Sequence, residues 1–175
     1  MNEFPPLFFE VLKDTYNEAE LFKLLTSERS LYGSSALHFA VLGGNIQTVA
    51  FLLRHQFDPN LSNIYGETPL HWACKHGDVA IVLLLLENEA DLRITDAERS
   101  TPLHWAAEYD EKDIITLLWS WGAPLSVRDE QGRTPYQVAV ENEAGQASRR
   151  ILRPRYLIPK CVVDMCQRIR GTVSP

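Results

Sequence analysis

The sequence is poor in cysteine: three residues in 175, too few and too scattered for a disulfide framework. A reducing compartment is therefore expected. Cys161 and Cys166 lie five residues apart with no second pair to match them, which reads as two half-buried thiols on a helix and not as a zinc site. Long apolar runs are also missing. The longest, Val79 to Leu86, is far short of a membrane span. The opening Met-Asn-Glu-Phe-Pro-Pro lacks the basic head and small-residue cleavage site of a secretion signal. Catalytic signatures are equally scarce. There is no His-Glu-x-x-His, no Gly-x-Ser-x-Gly and no phosphate-binding loop, and the pair Gly43-Gly44 reads as a helix end. His71, Cys74 and His76 cluster locally but do not share one helix face, so no metal is expected there. No enzyme activity, cofactor or small-molecule substrate is expected.

What is present is an ordinary globular composition with an uneven charge. The chain is 45% hydrophobic and 23% charged, enough to build a core without metals or disulfides. Its formal net charge is −6, but residues 148–175 carry +6 and residues 1–147 therefore carry −12. An acidic body is followed by a basic tail.

The strongest pattern is internal repetition. Thr68-Pro69-Leu70-His71-Trp72-Ala73 returns 33 residues later as Thr101-Pro102-Leu103-His104-Trp105-Ala106. A further step of 33 gives Thr134-Pro135-Tyr136-Gln137-Val138-Ala139, and a step back gives Ser35-Ala36-Leu37-His38-Phe39-Ala40. Each copy has the physics of a helix start. A threonine can cap free amides, and proline suits the first helical position because its missing N–H has no partner there. Leu70, Ala73 and Cys74 then share a face, and small Ala73 lets neighbouring helices approach. Gly77 and Gly44 end the helix in the left-handed conformation. A second apolar stripe follows: Val49, Leu52 and Leu53, then Val82, Leu85 and Leu86, then Ile115, Leu118 and Trp119. Asn63-x-x-Gly66 and Asp129-x-x-Gly132 mark a turn between units. Arg99 replaces the turn glycine in one unit, and Asp110 and Glu143 replace the helix-ending glycine in two. A side chain held at positive φ costs about 1 kcal/mol, so those turns are expected to be distorted.

The period and the Thr-Pro-Leu-His-x-Ala motif resemble those of the ankyrin-repeat family, over roughly residues 30–150. The resemblance implies an all-α solenoid of helix-turn-helix units joined by short β-hairpin loops. It divides the chain into an N-terminal capping helix pair at 1–29, with Asn17-x-x-Glu20 as a capping box, and repeats at 30–62, 63–95, 96–128 and 129–153, the last of them terminal. A basic amphipathic helix or tail at 154–175 closes the chain. The family's motif histidine is structural, which assigns His38, His71 and His104 to hydrogen bonds near the hairpins.

By the same resemblance the protein is a protein-binding adaptor or scaffold that holds its partner on the concave side. The candidate contacts are Tyr32, Phe39, Tyr65, Glu67, Trp72, His76, Glu98, Trp105, Glu108 and Tyr109, with Lys75, Arg133 and Glu141 at neighbouring mapped positions. Tyrosines supply large contact area at small entropy cost, and the glutamates favour a basic or extended segment. Phe39, Trp72 and Trp105 form one aromatic per repeat, either as the floor of a peptide groove or as padding between repeats. The basic tail has three open readings: it docks on the acidic body, binds another protein as a helix, or meets anionic lipid or nucleic acid, with nucleic acid ranked last. Leu157-x-x-x-Cys161-x-x-x-Met165 faintly resembles the helix by which ubiquitin-ligase adaptors bind elongins, so recruitment of a ligase is an alternative function. A host-directed effector or targeting module with a lipid-binding tail is another. The location is accordingly cytoplasmic or nuclear, or the host cytosol for an exported bacterial effector. Asn60, with Leu52 eight residues and Asp58 two residues before it, resembles the asparagine hydroxylated in some ankyrin repeats.

Overall fold

A computed structural model describes residues 33–142 and 145–153. The N-terminal helix pair, Asn17-x-x-Glu20, Tyr32, Glu143, and the tail with Cys161, Cys166 and the Leu157 motif lie outside the described residues. Among the described residues there are eight helices in four pairs. They are α1 (Ala36–Leu42) with α2 (Ile46–Arg54), α3 (Pro69–His76) with α4 (Val79–Glu87), α5 (Pro102–Glu108) with α6 (Lys112–Ser120), and α7 (Pro135–Glu141) with α8 (Gln146–Leu152).

Two layers result. The first helices stack as α1–α3–α5–α7 and the second as α2–α4–α6–α8, and each pair also packs within itself. Seven- to nine-residue helices are too short to be stable alone, so their packing must hold them. The apolar stripes read from the sequence supply it. Leu37, Leu70 and Leu103 are almost fully buried in the first layer, and Val49, Leu52, Val82, Leu85, Ile115 and Leu118 in the second. Ala40, Ala73, Ala106 and Ala139 are buried one per pair, where only a small residue lets the first helices approach. Trp119 is half-buried where the earlier pairs bury Leu53 and Leu86.

Each first helix begins at the residue the motif marks. Ser35, Thr68, Thr101 and Thr134 are N-caps in extended conformation, and each completes a capping box with the side chain three positions on. In three boxes that side chain is a histidine, which takes the part glutamate or glutamine usually plays. Second helices start on Asn45 and Asp78, whose side chains accept the N–H groups of Thr48 and Ile81 at 3.0 Å.

The two described turns that lack glycine, at Arg99 and Asp110, are not distorted, contrary to expectation. Gly44 and Gly77 have φ of 65° and 76°, and Asp110 takes 56° in the same place; Gly66 and Gly132 have 75° and 77°, and Arg99 takes 60°. The Arg99 N–H still closes its turn on the Asp96 carbonyl at 3.0 Å, as Gly66 does on Asn63. Neighbour contacts hold the left-handed geometry against the intrinsic preference of these two residues. Asp110 also has a use for it. Its carboxylate accepts the N–H of Gly145 at 2.9 Å and the Ser148 hydroxyl, capping α8, which has no capping side chain of its own.

Candidate partner-binding groove

The hairpin tips are shaped by one side chain each. Asn63 Oδ1 accepts the N–H groups of Tyr65 at 2.9 Å and Glu67 at 3.0 Å. Asp96 Oδ1 accepts those of Glu98 at 3.0 Å and Ser100 at 2.7 Å, and Asp129 Oδ1 accepts that of Arg133 at 2.8 Å. Folding the tip onto its first residue throws the next two side chains outward, so Ile64 and Tyr65 are 63% and 49% exposed. One backbone bond then ties each tip to the next: Ala97 N–H to the Tyr65 carbonyl and Glu130 N–H to the Glu98 carbonyl, both at 2.8 Å.

Histidines set the spacing behind the tips. Nδ1 of His71 accepts the Thr68 N–H at 3.1 Å, so its proton is on Nε2, which donates to the Ser100 carbonyl of the next unit at 3.1 Å. His38 and His104 repeat this with Glu67 and Arg133 at 2.9 and 3.2 Å. Burial pushes the His71 pKa down to about 4, against smaller upward pulls from the Ser100 hydrogen bond and from Asp96 and Glu67, and lowers His104 as well. Both rings stay neutral and serve the structure. Burial likewise raises the Cys74 thiol far above its ordinary value, which leaves it inert. Among the described residues no three metal-ligating side chains stand together.

The indoles do two things at once. Trp72 meets His38 edge-on with ring centres 5.2 Å apart and Phe39 at 6.2 Å, and Trp105 meets His71 at 5.6 Å. They pad the contact between units, and each remains half-buried with its Nε1–H on a hairpin carboxylate: Trp72 on Glu67 and Trp105 on Asp96, both at 2.8 Å. The row of three exposed aromatics does not form, because the Trp72 ring covers Phe39 and leaves it 7% exposed.

A concave groove of about 320 Å³ opens between the second and fourth pairs. Of the residues expected there it gathers Tyr65, Glu67, Glu98, Trp105, Glu108 and Tyr109. Trp72, His76 and Phe39 lie outside it. Asp96 joins the lining unforeseen; its signal was the turn pattern of Asn63 and Asp129, masked in the sequence by Arg99 where glycine stood in the others. The groove is acidic. Its one lining cation, Arg133, is already held by Asp129 at 2.8 Å and Glu141 at 3.0 Å. Asp96 is occupied by amides and an indole, whereas the exposed Glu98 and Glu108 carboxylates have no partner among the described residues. Asn60, half-buried, bonds elsewhere: Nδ2 donates to the Glu89 carbonyl at 3.0 Å and Oδ1 accepts the Asp91 N–H at 2.7 Å.

Stacked helix pairs with a recurring Thr-Pro cap, a histidine tie and hairpins along one edge define a repeat protein. The model of ankyrin repeats, in three copies, matches residues 10–96 and 88–156, and the chain belongs to that family. No curated protein matches the chain. Ankyrin repeats generally mediate contacts between proteins. No helix among the described residues is long and apolar enough to cross a membrane.

Proposed function

We propose that this protein is a non-catalytic binding module that takes an extended, basic segment of a partner protein into the groove between Tyr65 and Tyr109. The observation that carries this reading is the groove's make-up: two tyrosines 49% and 43% exposed, a half-buried indole, and two carboxylates without a partner among the described residues. Aromatic anchors of this kind hold most of the energy in protein interfaces. Carboxylates left without partners attract cations and steer their approach. The fold offers the peptide a preformed, rigid wall, so little ordering is needed on this side.

The test is capture of partners by the full chain and by Tyr65→Ala/Tyr109→Ala. Both residues lie at the surface, 49% and 43% exposed, so the double change should lower the melting temperature only slightly. A partner held by the wild type, lost by the variant and released by moderate salt is the expected result. Identical partners on both proteins would remove the groove from consideration.

A further inference from the structure

We propose that Trp105 and Tyr109 form a receptor for one arginine side chain of the partner, and that Lys75 of the same chain fills this receptor until the arginine displaces it. The proposal deepens the groove reading and rests on it.

Lys75 sits in the last turn of α3, exposed and free to extend into water. Instead its ammonium lies 5.8 Å from the centre of the Trp105 ring and 5.3 Å from that of Tyr109. It makes no ion pair among the described residues, and its partners there are the two rings. Two aromatic faces that collect a cation from their own chain are a cation site. The site is preorganised. The bond from Trp105 Nε1 to Asp96 fixes the indole, which also packs against the His71 ring in a T-shaped contact. Both rings also line the acidic groove, whose lining includes Glu98 and Glu108. A cation leaving solvent there meets two ring faces in a groove that also holds two carboxylates without partners among the described residues.

The chemistry favours arginine over lysine. An incoming ammonium would only replace the ammonium already present, which has the advantage of being tethered. A guanidinium is less strongly hydrated, stacks flat on a ring and offers a planar fork to a carboxylate. Lys75 therefore acts as a threshold: it excludes weak cations and yields to a group that makes contacts it cannot make.

The experiment titrates a short alternating arginine–glycine peptide, and the matching lysine–glycine peptide, into the full chain. The variants are Lys75→Met, Tyr109→Ala, Tyr109→Phe and Glu98→Gln/Glu108→Gln. Lys112→Met removes the same charge at the start of α6, away from the groove lining, and controls for net charge. Wild type should prefer the arginine peptide. Lys75→Met should tighten both peptides about three- to tenfold, more than Lys112→Met does, and should narrow the preference. Tyr109→Ala should abolish the gain from Lys75→Met, and Tyr109→Phe should keep it. If Lys75→Met gains no more than Lys112→Met while Glu98→Gln/Glu108→Gln loses binding, the ring receptor is wrong and the groove reading stands. Peptide binding indifferent to every variant overturns both.

Discussion

At the scale of single residues, the molecule depends on histidines that must stay uncharged. Protonating His71 would put a proton on Nδ1, where the Thr68 N–H now donates, and would place a charge in the core. Its folded pKa of about 4 lies below the ordinary 6.5, so between those values the unfolded chain holds a proton that the folded chain does not. Stability is therefore highest above the ordinary value and falls as pH drops through that window. His104 shifts the same way and adds to the loss. Urea unfolding should show His71 alone removing about 2 kcal/mol between pH 7 and pH 5. His71→Gln should lose about 1 kcal/mol at pH 7 yet flatten much of that slope. Glutamine already performs the capping half of the task at Gln137, whose Oε1 accepts the Thr134 N–H at 2.9 Å. Arg99 and Asp110, which hold a positive φ where the equivalent turns have glycine, divide in their consequences. Arg99→Gly should stabilise by about 1 kcal/mol by relieving the left-handed backbone. Asp110→Gly relieves the same strain but strips the α8 cap, a loss of about 1–2 kcal/mol, so it should be neutral or destabilising. Thermal melts of the two variants would separate strain from capping.

At the scale of elements, α4 shows how far the sequence could be read. Its run Val79-Ala80-Ile81-Val82-Leu83-Leu84-Leu85-Leu86 is apolar on every side, and composition alone does not say which leucine is inside. The repeat does, because Leu85 aligns with Leu52 and Leu118, and all three are fully buried. Leu83, two residues away, is 37% exposed on the outer face. Leu85→Ala should therefore cost about 2–5 kcal/mol, and Leu83→Gln less than about 1, by urea denaturation. The helix starts and the stripes were legible, because each rests on a local signal repeated at one period, whereas the histidine ties were implied by the resemblance to ankyrin repeats. The groove was legible only in part. Tyr65, Glu98, Trp105 and Tyr109 follow from position, but Phe39 sits in a position equivalent to Trp72 and differs in exposure because a ring from the next unit covers it. The reach of Lys75 across one unit onto two rings is a matter of side-chain direction, which period does not encode. Nor did the sequence announce the left-handed residues Gln56 and Glu89, at φ of 61° and 66°; Gly122 alone marks that position.

At the scale of the whole molecule, stability is a sum of contacts between neighbours, because among the described residues each helix pair touches the pairs adjacent to it in the chain. The pair α3 and α4 has such a neighbour on both sides, and so does the pair α5 and α6. Hydrogen exchange should follow this gradient, with amides of α4 and α6 protected more strongly than those of α8 and opening in units of a helix pair. Uniform protection from α2 to α8 would instead indicate a single all-or-none block. The imidazole ties run through this gradient at a constant offset: His38 to Glu67, His71 to Ser100 and His104 to Arg133 are each 29 residues apart. A constant offset makes the chain modular in its own coordinate. A stretch of one period, excised or duplicated between equivalent points, leaves every donor facing an acceptor of the same kind, because the acceptor is a backbone carbonyl that any residue supplies. Such a molecule can lengthen or shorten its binding face by whole steps without inventing a new contact, and the side chains at the tips are then free to vary independently of the frame that carries them.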